Sequence, residues 1–288
     1  MRTVNVGGDT VSYVEVGSGE TVLAIHGLGG NWTVWLENLT TIARDHRVIA
    51  VDLPGFGRSA PSSDGIAIPG YSRLLLQLLR ELAIDQAVLM GSSLGGWIAA
   101  DIALRAPERV SALVLVDAGG VVPTRLERFK ALAIMEGAAR LAPYAPRFRA
   151  AVASRRQLRS LALRYTFSRP SDVAADLVYM ALPAAPDPGF SAALLAAKRS
   201  WSDAWCDMLT EIVCPTLIVW GDHDSLLPLR HAREYARRIV GSQLRVISGA
   251  GHLPMLERPT EFNGRVLAFL AAIRGSANGD GMTASSKA

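Results

Sequence analysis

The sequence predicts an α/β protein, a mostly parallel sheet covered by helices on both faces and interrupted once by a helical insertion. Three observations carry this reading. Apolar runs of strand length alternate with amphipathic stretches of helix length. The runs are rich in Val, Leu and Ile without alternation, as in strands buried on both faces. The rhythm stops after Asp117 and resumes at Pro215. A chain of 288 residues suits one large domain with an insertion. Its composition, 50% hydrophobic and 19% charged with mean hydropathy +0.22, suits a packed core and argues against disorder.

The elements follow in order. Thr3–Val6 and Thr10–Val16 alternate apolar with polar residues, which predicts an antiparallel entry hairpin. Thr21–His26, Arg47–Asp52, Gln86–Gly91 and Ala112–Asp117 read as buried strands, with helices over Trp32–Ala43, Tyr71–Leu82 and Leu94–Ala106. Residues 121–207 show no strand pattern, only Ala-, Leu- and Arg-rich pieces broken by prolines, and are expected to form a helical cap. The core resumes with a strand at Pro215–Trp220, a helix at Arg230–Ile239, a strand at Gln243–Ile247 and a helix at Glu261–Ile273. The expected organisation is thus a core of 1–120 and 208–274, a cap of 121–207 and a disordered, polar tail of 275–288. Trp201 and Trp205, four apart, are expected to share a face of one cap helix and pack it.

Charge excludes more than it suggests. Thirty basic and 26 acidic side chains leave +4, thinly spread, and without interleaved aromatic residues this argues against a nucleic-acid partner. The cap is lopsided, with 11 Lys or Arg between Val121 and Pro170 against Glu127 and Glu136. A solvated outer face is the plain explanation, and attraction of anionic ligands or an acidic surface the sharper one. Cys206 and Cys214 cannot make a disulfide framework or a four-cysteine zinc site, and no metal is expected. Neither a signal-type apolar segment nor a run of about 18 apolar residues appears, so the expectation is a cytoplasmic protein without stable membrane insertion.

Chemistry concentrates in a few stretches. Gly91-Ser92-Ser93-Leu94-Gly95 lies between a predicted strand and a predicted helix, the setting of a nucleophile elbow. A serine hydroxyl is a weak nucleophile that must be lifted off the sheet toward a base, and the helix start behind it favours a developing oxyanion. Ser93 is the expected nucleophile. Among the five histidines, His252 in the Gly-rich loop after the last strand is placed to act as base. The acid should follow the seventh strand, where Gly221-Asp222-His223-Asp224 supplies two candidates; Asp117 closes the sixth. Oxyanion donors are expected at the Leu94 and Leu28 amides, the latter in His26-Gly27-Leu28-Gly29-Gly30. That glycine loop lacks both a following Lys-Ser/Thr and the G-x-G-x-x-G spacing, so nucleotide binding is rejected. Gly27, Trp32 and Ser92 are the candidates for substrate contact, with helix packing the competing role for Trp32 and Trp35.

The stretches HGLGG at 26–30, DLPGFGRS at 52–59, GSSLGG at 91–96, GDHDSLLP at 221–228 and GAGHLPMLERP at 249–259 resemble the α/β-hydrolase fold. Within it they are similar to the epoxide-hydrolase-like, carboxylesterase and meta-cleavage-product hydrolase group. The resemblance implies an eight-stranded, mostly parallel sheet with a helical cap after the sixth strand. It also implies a triad of Ser93, Asp224 and His252, the acid chosen by the spacing from Gly221 to Pro228, and a structural role for Asp52–Ser59. Epoxide hydrolases and haloalkane dehalogenases of the group use an aspartate nucleophile where Ser93 stands. Its carbon–carbon bond hydrolases usually carry a Ser-Gly-Pro-Gly type loop and a Trp after the histidine, where this chain has Leu28-Gly29-Gly30 and Leu253. The expectation is therefore a serine hydrolase of small-molecule carboxylic esters, working through an acyl-enzyme without metal or organic cofactor. Alternatives are a carbon–carbon bond hydrolase and a slow-turnover ligand receptor on the same fold; oligomeric state is open, a homodimer included.

Overall fold

The computed structural model describes residues 1–62, 67–121, 124–141, 145–181 and 189–284. Its strands are β1 (Arg2–Val6), β2 (Asp9–Val16), β3 (Thr21–Ile25), β4 (Arg47–Val51), β5 (Ala87–Ser92), β6 (Val110–Val116), β7 (Thr216–Gly221) and β8 (Gln243–Ile247). They form one sheet in the order β1-β2-β4-β3-β5-β6-β7-β8. Strand β2 pairs antiparallel with β1 and β4, and every other pair is parallel. The parallel strands all end on one edge, where an open α/β sheet gathers its functional loops.

The apolar runs do not alternate because both faces are covered. Leu23, Ile25, Leu89, Leu113, Leu115 and Ile218 pack one face beneath α2 (Ile68–Glu81) and α3 (Leu94–Arg105). Their neighbours Val22, Ala24, Val88, Met90, Val114 and Val219 pack the other face against Trp35, Leu39 of α1 (Leu36–Ile42) and Phe262 of α12 (Pro259–Ala284). A buried aliphatic side chain contributes about 1.5–3 kcal/mol relative to leaving it exposed, so these two layers dominate the stability of the core.

Three local expectations need correction. Trp32–Ala43 is not one helix: Trp32–Trp35 forms a 3₁₀ turn, begun by Asn31 Oδ1 accepting from Thr33 N–H at 2.9 Å, and α1 follows. Helix α12 continues through Gly275 to Ala284, where a disordered tail is expected; no proline interrupts it after Pro259. The last four residues of that tail lie outside the described set. Thirdly, Trp201 and Trp205 do not share a helix. Trp201 ends α8 (Phe190–Ser200), and the Ser202 hydroxyl caps α9 (Asp203–Met208) by accepting from Trp205 N–H at 3.1 Å.

Among its described residues the insertion holds helices and connecting turns but no strand: α4 (Arg125–Leu141), α5 (Ala145–Ser154), α6 (Arg156–Ala162), α7 (Ala175–Ala181), α8 and α9. Val152, Ala153, Leu163, Phe167, Val173 and Val178 give it a small core of its own. Part of its arginine content is structural: Arg156 pairs with Asp172, and Arg159 donates to the carbonyls of Ala153 and Ser171. Pro143, Pro183, Pro186 and Pro188, expected helix breakers, lie outside the described residues. The core closes with α10 (Arg230–Arg238), α11 (Pro254–Glu257) and α12. Among the described residues no helix is long and apolar enough to cross a membrane.

Candidate active site

Ser93 sits between β5 and α3 at φ +54°, a left-handed conformation that ordinary residues avoid. Its backbone is held from both sides. The Ser93 N–H donates to Val116 O at 2.9 Å, and its carbonyl accepts from Gly119 N–H at 2.8 Å. The Gly119 carbonyl in turn accepts from the Tyr235 hydroxyl. A Cβ on Gly91 would stand 2.3 Å from the Gly95 carbonyl oxygen, and one on Gly95 would stand 2.3 Å from that of Ile25. The glycines of the motif are therefore what lets strand, turn and helix meet this closely. Ser93 Oγ makes no hydrogen bond among the described residues; serine–base bonds commonly tighten only with substrate present.

The two loops that follow β7 and β8 bring an acid and a base together. His252 Nδ1 hydrogen-bonds Asp224 Oδ2 at 2.7 Å, with both side chains buried. Asp224 Oδ1 accepts from the Leu226 and Leu227 amides at 2.8 and 2.9 Å, so its carboxylate cannot rotate away. Asp222 points elsewhere, accepting from Gly249 N–H at 2.7 Å, Ser248 Oγ and His223 Nδ1. Burial pushes its carboxyl up, but these hydrogen bonds outweigh that and hold it below the usual range. One oxygen each from Asp117 and Asp224 and one ring nitrogen of His252 lie within 4.8 Å of one another. The 2.7 Å contact is hydrogen-bond spacing, shorter than the roughly 3.3 Å between two ligands on a tetrahedral ion with bonds of about 2.0 Å.

The glycine loop after β3 is fixed from beneath. His26 is fully buried; its Nε2 accepts from Leu53 N–H at 2.9 Å, which leaves Nδ1–H to donate to Gly27 O at 2.7 Å. Burial keeps this ring neutral by lowering its affinity for a second proton. Asp52 accepts from Trp32 N–H at 2.8 Å and Arg58 N–H at 2.9 Å, tying the Asp52–Ser59 loop beneath the glycine loop. A Cβ on Gly27 would lie 2.9 Å from the Ser93 Cβ. The loop's own turn is closed by Gly30 N–H on Gly27 O, not by Leu28 N–H. The Leu94 amide is among the first-turn donors of α3, which have no acceptor within the helix.

Leu28, Ser93, Leu94, Trp97, Gly119, Leu226 and Leu227 of the core and Ala197 and Trp201 of the insertion line one pocket. The cavity itself is narrow, about 30 Å³. The insertion is anchored there by aromatic contact: Trp97 stacks on Trp201 at 5.8 Å and meets Trp205 edge-on at 5.4 Å, while Trp205 Nε1 donates to Asp101 at 3.3 Å. None of the three expected substrate contacts, Gly27, Ser92 and Trp32, lines this pocket. Ser92 is 1% exposed because it still belongs to β5, whose side chains face the core. Trp32 packs on the α1–α12 layer instead.

Sequence reasoning missed a second clasp. Glu257 accepts from Gly251 N–H at 2.7 Å and from both the amide and the hydroxyl of Ser168 in the insertion, at 2.8 and 2.7 Å. His252 N–H donates to Thr166 O at 2.9 Å. The insertion thus grips the histidine loop directly; the ERP run was the one signal available.

A family model described as alpha/beta hydrolase fold matches residues 20–259. A Mycobacterium bovis protein described only as uncharacterized is 33% identical over 91% of this chain and 78% of its own length. The 2-hydroxy-6-oxo-2,4-heptadienoate hydrolase of Pseudomonas putida is 30% identical over 94% of this chain and 96% of its own. A thermophilic esterase from Thermogutta terrifontis superimposes with a TM-score of 0.76 at 26% identity, covering 95% of this chain and 99% of that one. The chain belongs to the α/β-hydrolase family. It is a hydrolase whose relatives include esterases and meta-cleavage-product hydrolases.

Proposed function

We propose that the chain hydrolyses carboxylic esters through an acyl-enzyme on Ser93, with His252 as base and Asp224 as its partner acid. The observation that carries this is the buried Asp224–His252 hydrogen bond, found on the same sheet edge as a serine held at positive φ. Ser93 Oγ attacks the acyl carbon as His252 Nε2 takes its proton. The Leu28 and Leu94 amides stabilise the oxyanion, and the positive end of α3 adds to their field. The C–O bond breaks, the alkoxide leaves with the proton from His252, and water then repeats the sequence to release the acid and restore Ser93. Asp224 fixes the tautomer that leaves Nε2 free to accept.

The pocket favours an ester over a meta-cleavage product. The Pseudomonas putida relative is named for a dienoate, a carboxylate anion, whereas the described lining contains no Arg, Lys or His. Burying a carboxylate there unpaired is unfavourable by several kcal/mol. Steady-state kinetics on chromogenic short-chain esters, thioesters, lactones and a vinylogous diketone test the reading. Repeated ester turnover, faster than that of the diketone, is expected. Preference for the diketone, or a single burst without turnover, overturns it.

A further inference from the structure

Asp117 closes β6 at φ +41°, fully buried, and the mechanism above gives it no task. Its Oδ1 accepts from Gly221 N–H at 3.1 Å, and among the described residues its Oδ2 has no hydrogen-bond partner. Of the described groups around it, none can satisfy an ionised Oδ2. From the loop after β7 come Gly221 N–H, already used, and the Asp224 carboxylate; from the loop after β8 comes His252, whose Nδ1 is taken by Asp224; from α11 comes Glu257, a further negative charge. His231 on α10 lies toward Asp224, and burial and Arg230 keep it short of protons. Two carboxylates in such a dry place cannot both ionise cheaply, whereas one proton between them turns repulsion into a hydrogen bond.

We infer that Asp117 is a neutral carboxylic acid whose O–H donates to the Asp224 carboxylate, making it a positioning residue for the acid–base pair. The dyad then holds one proton and a single negative charge, carried by Asp224 and shared with the imidazole. Burial first, and repulsion from Asp224 second, push the Asp117 carboxyl well above the ordinary range, in accord with the geometry. The effect on His252 rests on the triad reading; the protonation of Asp117 does not.

Two measurements test this on the full chain without relying on turnover. A difference infrared spectrum of wild type against Asp117→Asn at neutral pH should show the carbonyl stretch of a protonated carboxylic acid, lost in the variant. A neutral Asp117 folds with a proton that the unfolded chain sheds above its ordinary range, so wild-type stability falls as pH rises. The amide neither gains nor loses that proton, so the Tm of Asp117→Asn should rise relative to wild type from about pH 5 to about pH 8. In activity, Asp117→Leu should lower kcat by roughly tenfold or more through loss of the donor, and Asp117→Asn, which can still donate to Asp224, should recover most of it with little change in KM. A missing infrared band, or an Asp117→Asn Tm that does not rise relative to wild type over that range, overturns the inference. If the band is present but Ser93 proves not to be the nucleophile, the dyad stands and the triad reading fails.

Discussion

Replacing Asp224 by Asn exchanges one carboxylate oxygen for an NH₂ group and should remove most of the activity. In the structure Oδ1 is committed to the Leu226 and Leu227 amides and Oδ2 to His252 Nδ1. An Asn side chain has one acceptor, and two amide donors at 2.8 and 2.9 Å claim it. Its NH₂ therefore faces Nδ1 and forces that nitrogen to accept, which moves the ring proton to Nε2. A histidine protonated at Nε2 cannot take the Ser93 proton. The corresponding change in serine proteases lowers kcat about 10⁴-fold, or about 5.4 kcal/mol at 1.36 kcal/mol per decade. The fold should persist, because both backbone amides keep their acceptor. Stopped-flow or plate kinetics with a nitrophenyl ester, beside circular dichroism, measure both quantities. Asp222→Asn is the matched control; it should lose about 1 kcal/mol of stability from its bond to Gly249 and less than about tenfold in kcat. If Asp222→Asn were the more damaging change to kcat, the assignment of the acid would be refuted.

Two further outcomes follow from the geometry. Trp201→Ala opens the wall that the insertion contributes to the Ser93 pocket, so preference should move to longer acyl chains, by about 10-fold or more in relative kcat/KM per added methylene pair; an unchanged chain-length profile would separate the insertion from specificity. His231 is buried and its pKa is depressed to about 4, by burial first and Arg230 second, so the unfolded chain binds its proton more readily. Stability on this account falls as pH drops from about 6.5 toward about 4, by up to about 3 kcal/mol, and a His231→Gln variant should flatten that part of a Tm–pH curve.

The core was legible because parallel strands buried on both faces must be continuously apolar. Each of β3 to β8 falls within two residues of its expected position. The elbow was legible because its serine and glycines stand together in one short stretch between a strand pattern and a helix pattern, although the carbonyl that demands Gly95, that of Ile25, comes from β3. What the insertion touches was not. Gly29, Gly120 and Gly251 are positions of close approach, but the groups that approach them, Phe190, Trp205 and Ser168, come from the insertion and are set by tertiary packing. Trp201 and Trp205 matched a helical period, and only the hydroxyl of Ser202, which starts a new helix, decides against it. The Asp117–Asp224 juxtaposition spans 107 positions in sequence and depends on β6 lying beside β7. No local pattern marks it.

Active-site labelling decides whether Ser93 is the nucleophile. The protein and Ser93→Ala are treated with a fluorophosphonate, digested and mapped by mass spectrometry, with Tm and ester turnover recorded alongside. A single adduct is expected on the Ser93 peptide, absent from Ser93→Ala. The variant should keep its Tm to within about 1 kcal/mol in stability, since one hydroxyl is removed, and lose about 10⁴-fold or more in turnover. An adduct on another residue, or ester turnover that survives in Ser93→Ala, would contradict it.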